Sequence, residues 1–305
     1  MSSSSAPAIL CTGIAVQDLV MRVPAMPVPG GKAMADDFIT VIGGCSLNAA
    51  LAVARLGGRT RFAGPMGDPS DPVSNWLAAE LVREGVGVDG VVRVADAKCP
   101  VSAILIDASG ERMIATYRDR RVEAARIADP DTLVAGADLV LADNRYPDFV
   151  RPVCAAARAH GIAVVLDADR PTTEDDPLFG IASHVVFSGE CLRETTGQRD
   201  LAAGLKRIAP RTKAFLAVSD GPNPIRYIAD GTVRELPVFK IDAVDTLAAG
   251  DVFHAGFALT LAEGRDEVAA LRFGAAAAGL KCTRFGGSMG APKRAEVEAF
   301  LAQQA

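Results

Sequence analysis

The sequence lacks any cysteine spacing that could hold a metal. Its six cysteines, Cys11, Cys45, Cys99, Cys154, Cys191 and Cys282, are scattered without a Cys-x-x-Cys pair, which argues against a structural zinc site and fits reduced thiols in a cytoplasmic protein. It also lacks an excess of positive charge: 32 Lys and Arg against 37 Asp and Glu give a formal net charge of −5. Neither nucleic acid nor an anionic membrane is therefore expected as the main partner. The opening MSSSSAPAILCTGIAV has no basic segment and only a short apolar run, so it reads as a frayed terminus leading into a strand, not as a signal peptide or membrane span. Repeats, low-complexity linkers and charge blocks are missing too, and nothing marks a domain boundary within the 305 residues. A single domain over 1–305 is expected. Finally, there is no glycine-rich P-loop ending in Gly-Lys-Ser/Thr and no GxGxxG after the first strand, so neither a Walker-type NTPase nor a dinucleotide dehydrogenase is supported.

What is present is an alternation. Apolar runs such as ILCTGIAV, DLVLAD, AVVLDAD, HVVFS and AFLAVSDG are interleaved with Ala-rich stretches such as FVRPVCAAARAHG. This pattern predicts an α/β fold with a doubly wound, mostly parallel sheet flanked by helices. Two segments break it: GGKAMADDFITVIGG, and CPVSAILIDASGERMIATYRDR, the latter reading as two strands joined at DASGE. Together they predict a small β-sheet lid, drawn from about 14–42 and 98–121, that would exclude water from a site beneath it.

In open parallel sheets, ligands bind at the carboxyl ends of the strands. The polar residues that end apolar runs are Asp18, Asp143, Arg145, Asp167, Asp169, Ser219 and Asp220, each of which could equally be a helix cap or turn former. A further element is DTLAAGDVFHAGF. An apolar helix is expected to begin near Ala249, behind Asp245 and Thr246 and a run of small residues. Free amides at such a helix start form an anion site. Asp251 beside it would repel phosphate as a ligand but is well placed to take a proton from an attacking hydroxyl.

These residues resemble the ribokinase/PfkB family of carbohydrate kinases. DTLAAGDVF is similar to the family's DTxGAGDxF signature, and IGGCSLNAALAVARLGG to its GGxxxNxAxxxARLG signature. The resemblance covers nearly the whole chain. It implies a ribokinase-like fold with a β lid, and transfer of the γ-phosphoryl of MgATP to a hydroxymethyl group of a small sugar. Asp251 would be the base, and the amides of Ala248, Ala249 and Gly250 the anion hole. Asp18, Gly43, Gly44 and Asn48 would hold the sugar, while Ser188, Ser219, Gly221 and Gly279 would lie at the nucleotide.

Three departures stand out: Ala248 replaces a glycine, Pro224 replaces another in the nucleotide loop, and the NxxE motif is lost at Ser188 and Cys191. Magnesium would then rest on phosphates, water and Asp169 or Glu190, and a monovalent cation is a further candidate near Asp245 and the TRFGGS loop. Homodimer formation through the lid is a further implication.

Within the family, VLADNR, VVLDADRPT and GLKCTRFGG resemble bacterial kinases of 6-deoxy-6-sulfofructose. That likeness makes Lys32 and Arg145 candidates for gripping an anionic tail, although Thr116 stands where that group has an asparagine. Arg145 reads as well as a salt-bridge residue and Lys32 as a solvated one. Ribose, fructose, 2-keto-3-deoxygluconate or a nucleoside stay open as acceptors, as does a non-catalytic sugar or nucleotide sensor on a kinase fold.

Overall fold

The computed structural model describes residues 6–304; the stretch expected to fray at the amino terminus lies almost wholly outside them. Among the described residues, thirteen strands build two sheets. In chain order they are β1 (Ala8–Thr12), β2 (Val16–Arg22), β3 (Asp37–Gly43), β4 (Arg59–Met66), β5 (Gly87–Arg93), β6 (Val101–Ile106), β7 (Arg112–Tyr117), β8 (Leu139–Asp143), β9 (Ala163–Ala168), β10 (His184–Ser188), β11 (Phe215–Asp220), β12 (Asn223–Ala229) and β13 (Thr232–Leu236).

The large sheet runs β13-β12-β11-β10-β9-β8-β1-β4-β5. It is parallel from β11 to β5 and antiparallel only at the β11-β12-β13 edge. Helices cover both of its faces. Strands such as β8, with every residue buried, are apolar up to their last residue because neither face meets water. Two apolar clusters, one per face, make up the core. The expected ribokinase-like α/β architecture is thus present.

The small sheet has the order β3-β2-β6-β7. Its hairpin turns at DASGE, as its sequence predicts. The run ILCTGIAV differs from expectation, because it divides between the two sheets at Gly13. There φ is 151°, and a Cβ would come within 2.1 Å of Asp143 Oδ2 and 2.4 Å of Ser46 Oγ. Only glycine lets the chain leave the large sheet so close to those side chains. Asp18 consequently lies inside β2 of the small sheet, not at the carboxyl end of a core strand.

The helices Ala249–Ala262 and Glu267–Cys282 pack closely on one another. Gly256 faces Gly274 so tightly that an added Cβ would stand 3.0 Å from the neighbour's Cα. This approach fixes the carboxyl half of the second helix beside the start of the first.

Candidate active site

The helix Ala249–Ala262 begins directly after Ala248, whose φ of 63° and ψ of 12° are left-handed. That turn directs the first amides outward. The amide of Ala249 donates to the Thr246 carbonyl at 3.2 Å, so this member of the expected anion hole is already engaged. Among the described residues, the amides of Ala248, Gly250 and Asp251 have no acceptor. Three donors thus converge at a helix N-terminus, an arrangement that binds anions.

Asp251 stands in the first turn of that helix. Its Oδ2 accepts from Asn48 Nδ2 at 2.6 Å, an interaction linking the two signature segments across the chain. Asn48 lies in the helix Cys45–Arg55, which starts at the end of β3. Its Oδ1 is buried without a partner. Burial, together with the neighbouring Asp167 carboxylate, pushes Asp251 up to about 8, and burial with the Asp169 and Asp143 carboxylates drives Asp167 well above the usual carboxylate range. Ligand atoms of Cys45, Asp167 and Asp251 lie within 4.8 Å of one another. His254, buried one turn later, faces the Gly250 carbonyl at 2.7 Å through Nδ1 and Asp167 Oδ1 at 3.5 Å through Nε2, so it ties the helix start to the end of β9.

Asp18 lies in the small sheet beside Gly43, the last residue of β3 ahead of the Asn48 helix. The site of a Cβ on Gly43 would fall 2.1 Å from Asp18 Oδ2, which is why glycine stands there. Burial raises Asp18 to about 6, with Ser102 beside it acting in the opposite direction. In register, Val41, Asp18, Ser102 and Thr116 form one row across the small sheet, and Ser102 Oγ lies 3.1 Å from Thr116 Oγ1. Strand alternation puts this row on the same face as Val20, Ile39 and Ile104, which packs on Leu247 and Phe285.

A pocket of about 530 Å³ opens on the other side of Gly250. Ser219, Gly221, Ile225, Phe253, Gly279 and Cys282 are among its walls, and Thr246, Ala249 and Gly250 close one end. Three of the four expected nucleotide residues therefore meet in one apolar cavity that ends at the free amides. Ser188 does not line it. Its hydroxyl caps the helix Gly189–Thr196 by accepting from the Cys191 amide at 3.1 Å.

Other expected residues fall elsewhere. Asp143 is a buried connector that accepts from the amides of Ile14, Ser46 and Arg145 and from Ser46 Oγ. Arg145 pairs with Asp169, and Lys32 is exposed in the β2–β3 connection, with no ion pair among the described residues. Glu190 is exposed in the first turn of its helix. The oxygens of Asp245, beside which a monovalent cation was expected, already receive the buried ammonium of Lys281.

Sequence reasoning missed Lys281, His254, Cys45 as a neighbour of the base, and Arg112, whose Nη1 reaches Thr246 Oγ1 at 3.4 Å. For His254 the signal was a histidine in an otherwise apolar helix, close to Asp251.

The pfkB family carbohydrate kinase model matches residues 6–294. Ribokinase of Bacillus subtilis (strain 168) is 30% identical over 96% of this chain and 99% of its own length. A crystal structure from Agrobacterium tumefaciens, provisionally described as a ribokinase, superposes with a TM-score of 0.93 at 36% identity, covering 98% of each chain. The ATP-bound fructokinase structure of Xylella fastidiosa gives 0.81 at 27% identity, covering 97% of this chain and 98% of its own. A buried carboxylate, free amides at a helix start and an adjoining apolar pocket thus sit on a fold shared along its whole length with sugar kinases: the chain belongs to the pfkB family of carbohydrate kinases and is an ATP-dependent sugar kinase.

Proposed function

We propose that the enzyme phosphorylates a hydroxymethyl group of a small, furanose-sized sugar held between Asn48, Gly43, Gly44 and Asp18. The observation that carries this reading is the Asn48–Asp251 pair. Asn48 orients the carboxylate and also presents a buried carbonyl oxygen with no partner. An unmet buried acceptor is costly, and a sugar hydroxyl relieves it.

The apolar pocket takes the nucleotide base, and the donor's phosphates reach the free amides of Ala248 and Gly250. Asp251 then accepts the proton of the attacking hydroxyl while the amides offset the charge on the phosphoryl group. A base poised near neutrality suits that transfer. The β2-β3-β6-β7 sheet acts as the lid that keeps water out.

Magnesium fits beside this centre, because Asp167 and Asp169 would supply oxygen donors in a cluster of carboxylates that Arg145 offsets in part. When bound, the ion neutralises phosphate charge. Glu190 is a weaker candidate for a water-mediated role.

Asp251→Asn is expected to keep nucleotide affinity and lower kcat by about 10²–10⁴-fold. Turnover within a few-fold of the unaltered enzyme would remove Asp251 from the base role.

A second reading gives the acceptor an anionic tail, as in 6-deoxy-6-sulfofructose. A half-buried arginine near the acceptor supports it, since Arg145 could exchange Asp169 for a sulfonate or phosphate; Lys32 would be its exposed companion. Initial rates with ribose, fructose, sulfofructose, 2-keto-3-deoxygluconate and adenosine separate the two readings. Arg145→Ala should impair anionic acceptors selectively, and equal loss with neutral ones argues against a tail-binding role. We also infer that two copies pair through the outward face of the lid.

A further inference from the structure

The roles described so far leave one buried charge unused. Lys281 lies in the last turn of the helix Glu267–Cys282 and has no exposed surface. Its ammonium donates to the Asp245 carbonyl at 2.7 Å and lies 3.1 Å from Asp245 Oδ2. The same Oδ2 accepts from the amides of Gly286 and Gly287, each at 3.0 Å, and Oδ1 accepts from the Leu247 amide at 2.8 Å.

One carboxylate therefore joins three segments: the nucleotide-side helix, the glycine turn after it, and the loop that runs through Leu247 and Ala248 to Gly250. A carboxylate so deeply buried persists only if a cation and good donors surround it. Burial alone would raise Asp245, yet Lys281 and the amides hold it below the ordinary carboxylate range. On the other side, Gly279 and Cys282, close neighbours of Lys281 in the chain, line the nucleotide pocket.

We propose that Lys281 is a resident cation of the 245–250 loop, a positioning residue that acts through Asp245 to hold the phosphoryl-facing amides in place and makes a monovalent metal ion unnecessary there. This rests on those amides being the anion hole. The geometry leaves no free oxygen of Asp245 for an added ion, because the side-chain oxygens and the carbonyl are all engaged. An amide displaced by a fraction of an ångström from the developing charge loses much of its effect, so the ammonium should be felt in turnover more than in sugar affinity.

The test has two arms. In the unaltered enzyme, initial rates in potassium, sodium, ammonium and tetramethylammonium chloride at equal ionic strength are expected to agree within about twofold. Activation of about tenfold or more by potassium or ammonium overturns the proposal, and this arm needs no variant to fold.

In the second arm, Lys281→Met fills the same space without charge and is expected to lower kcat about tenfold or more, with the sugar KM within a few-fold. Lys281→Ala should lose as much and regain several-fold on addition of ammonium or short alkylammonium ions, which reach the oxygens through the space left by the side chain. Unchanged kcat in Lys281→Met, or a folded Lys281→Ala that no ammonium ion rescues, overturns the positioning role. Should both variants fail to fold, the salt series alone decides. Asp251→Asn, assayed in parallel, separates failure of the phosphoryl-transfer reading from failure at Lys281, since it removes turnover without disturbing the Lys281 contacts.

Discussion

Ala248 is where the chain departs most sharply from its family's signature, and the backbone shows what the departure costs. A left-handed conformation at φ 63° crowds the Cβ of any L-residue, a penalty of roughly 1 kcal/mol that glycine escapes. The gain on reverting to glycine is reduced by the larger entropy of the unfolded glycine chain. Ala248→Gly is therefore expected to stabilise by about 0.5 kcal/mol, a rise in Tm of roughly 1 °C, with no loss of nucleotide binding. A lower Tm would show that the alanine methyl makes compensating contacts. The signature residues were legible because each needs one chemical type at one place: an amide-presenting turn, a carboxylate, a carboxamide. Asp143 and Ser188 were legible only as polar residues at strand ends. Their work as connector and cap depends on which backbone amides the fold brings to them, and no single stretch of sequence carries that information.

At the scale of elements, the alternation of apolar runs and Ala-rich stretches foretold the parallel sheet because strands buried on both faces must be apolar throughout. The same rule hid the break at Gly13. An apolar run looks alike whether it stays in one sheet or crosses to another, and the collision with Asp143 and Ser46 that forces the crossing is a long-range fact. The small sheet was legible through its turn at DASGE, yet its outward face was not. Phe38, Met21, Leu105 and Met113 stand in one row there, and Phe38, Met113 and Tyr117 are each more than half exposed. Both outer strands, β3 and β7, also end the small sheet as open edges, which invite pairing with another chain. Sedimentation velocity at micromolar concentration is expected to show a dimer, and Phe38→Ser combined with Met113→Ser should shift it to monomer. A monomeric unaltered enzyme would refute pairing through this face.

For the molecule as a whole, the site stores unfavourable charge. Asp251 and Asp167 have folded pKa values above their unfolded ones because burial opposes ionisation, aided by the Asp167 and Asp169 carboxylates at Asp251 and by Asp169 and Asp143 at Asp167. The sign follows directly. The folded protein holds protons that the unfolded chain releases, so the stability linked to the pair is complete below about pH 4 and declines as pH rises toward about 8. His184 and His254 act oppositely, since burial lowers both and their contribution is lost as pH falls through the range below 6.5. The overall Tm profile therefore mixes two slopes. Asp251→Asn isolates one of them, because its carboxamide oxygen can still accept from Asn48 while the charge is gone. Relative to the unaltered enzyme, this variant should gain at least about 1 kcal/mol between pH 5 and pH 8, seen as a Tm difference that widens by roughly 2 °C or more. A difference constant across that range would mean that Asp251 titrates normally and that the site carries no such strain. A widening difference would place Asp251 among residues that trade fold stability for reactivity. It would also explain why a divalent cation, by neutralising the cluster, should stabilise the enzyme more at pH 8 than at pH 6.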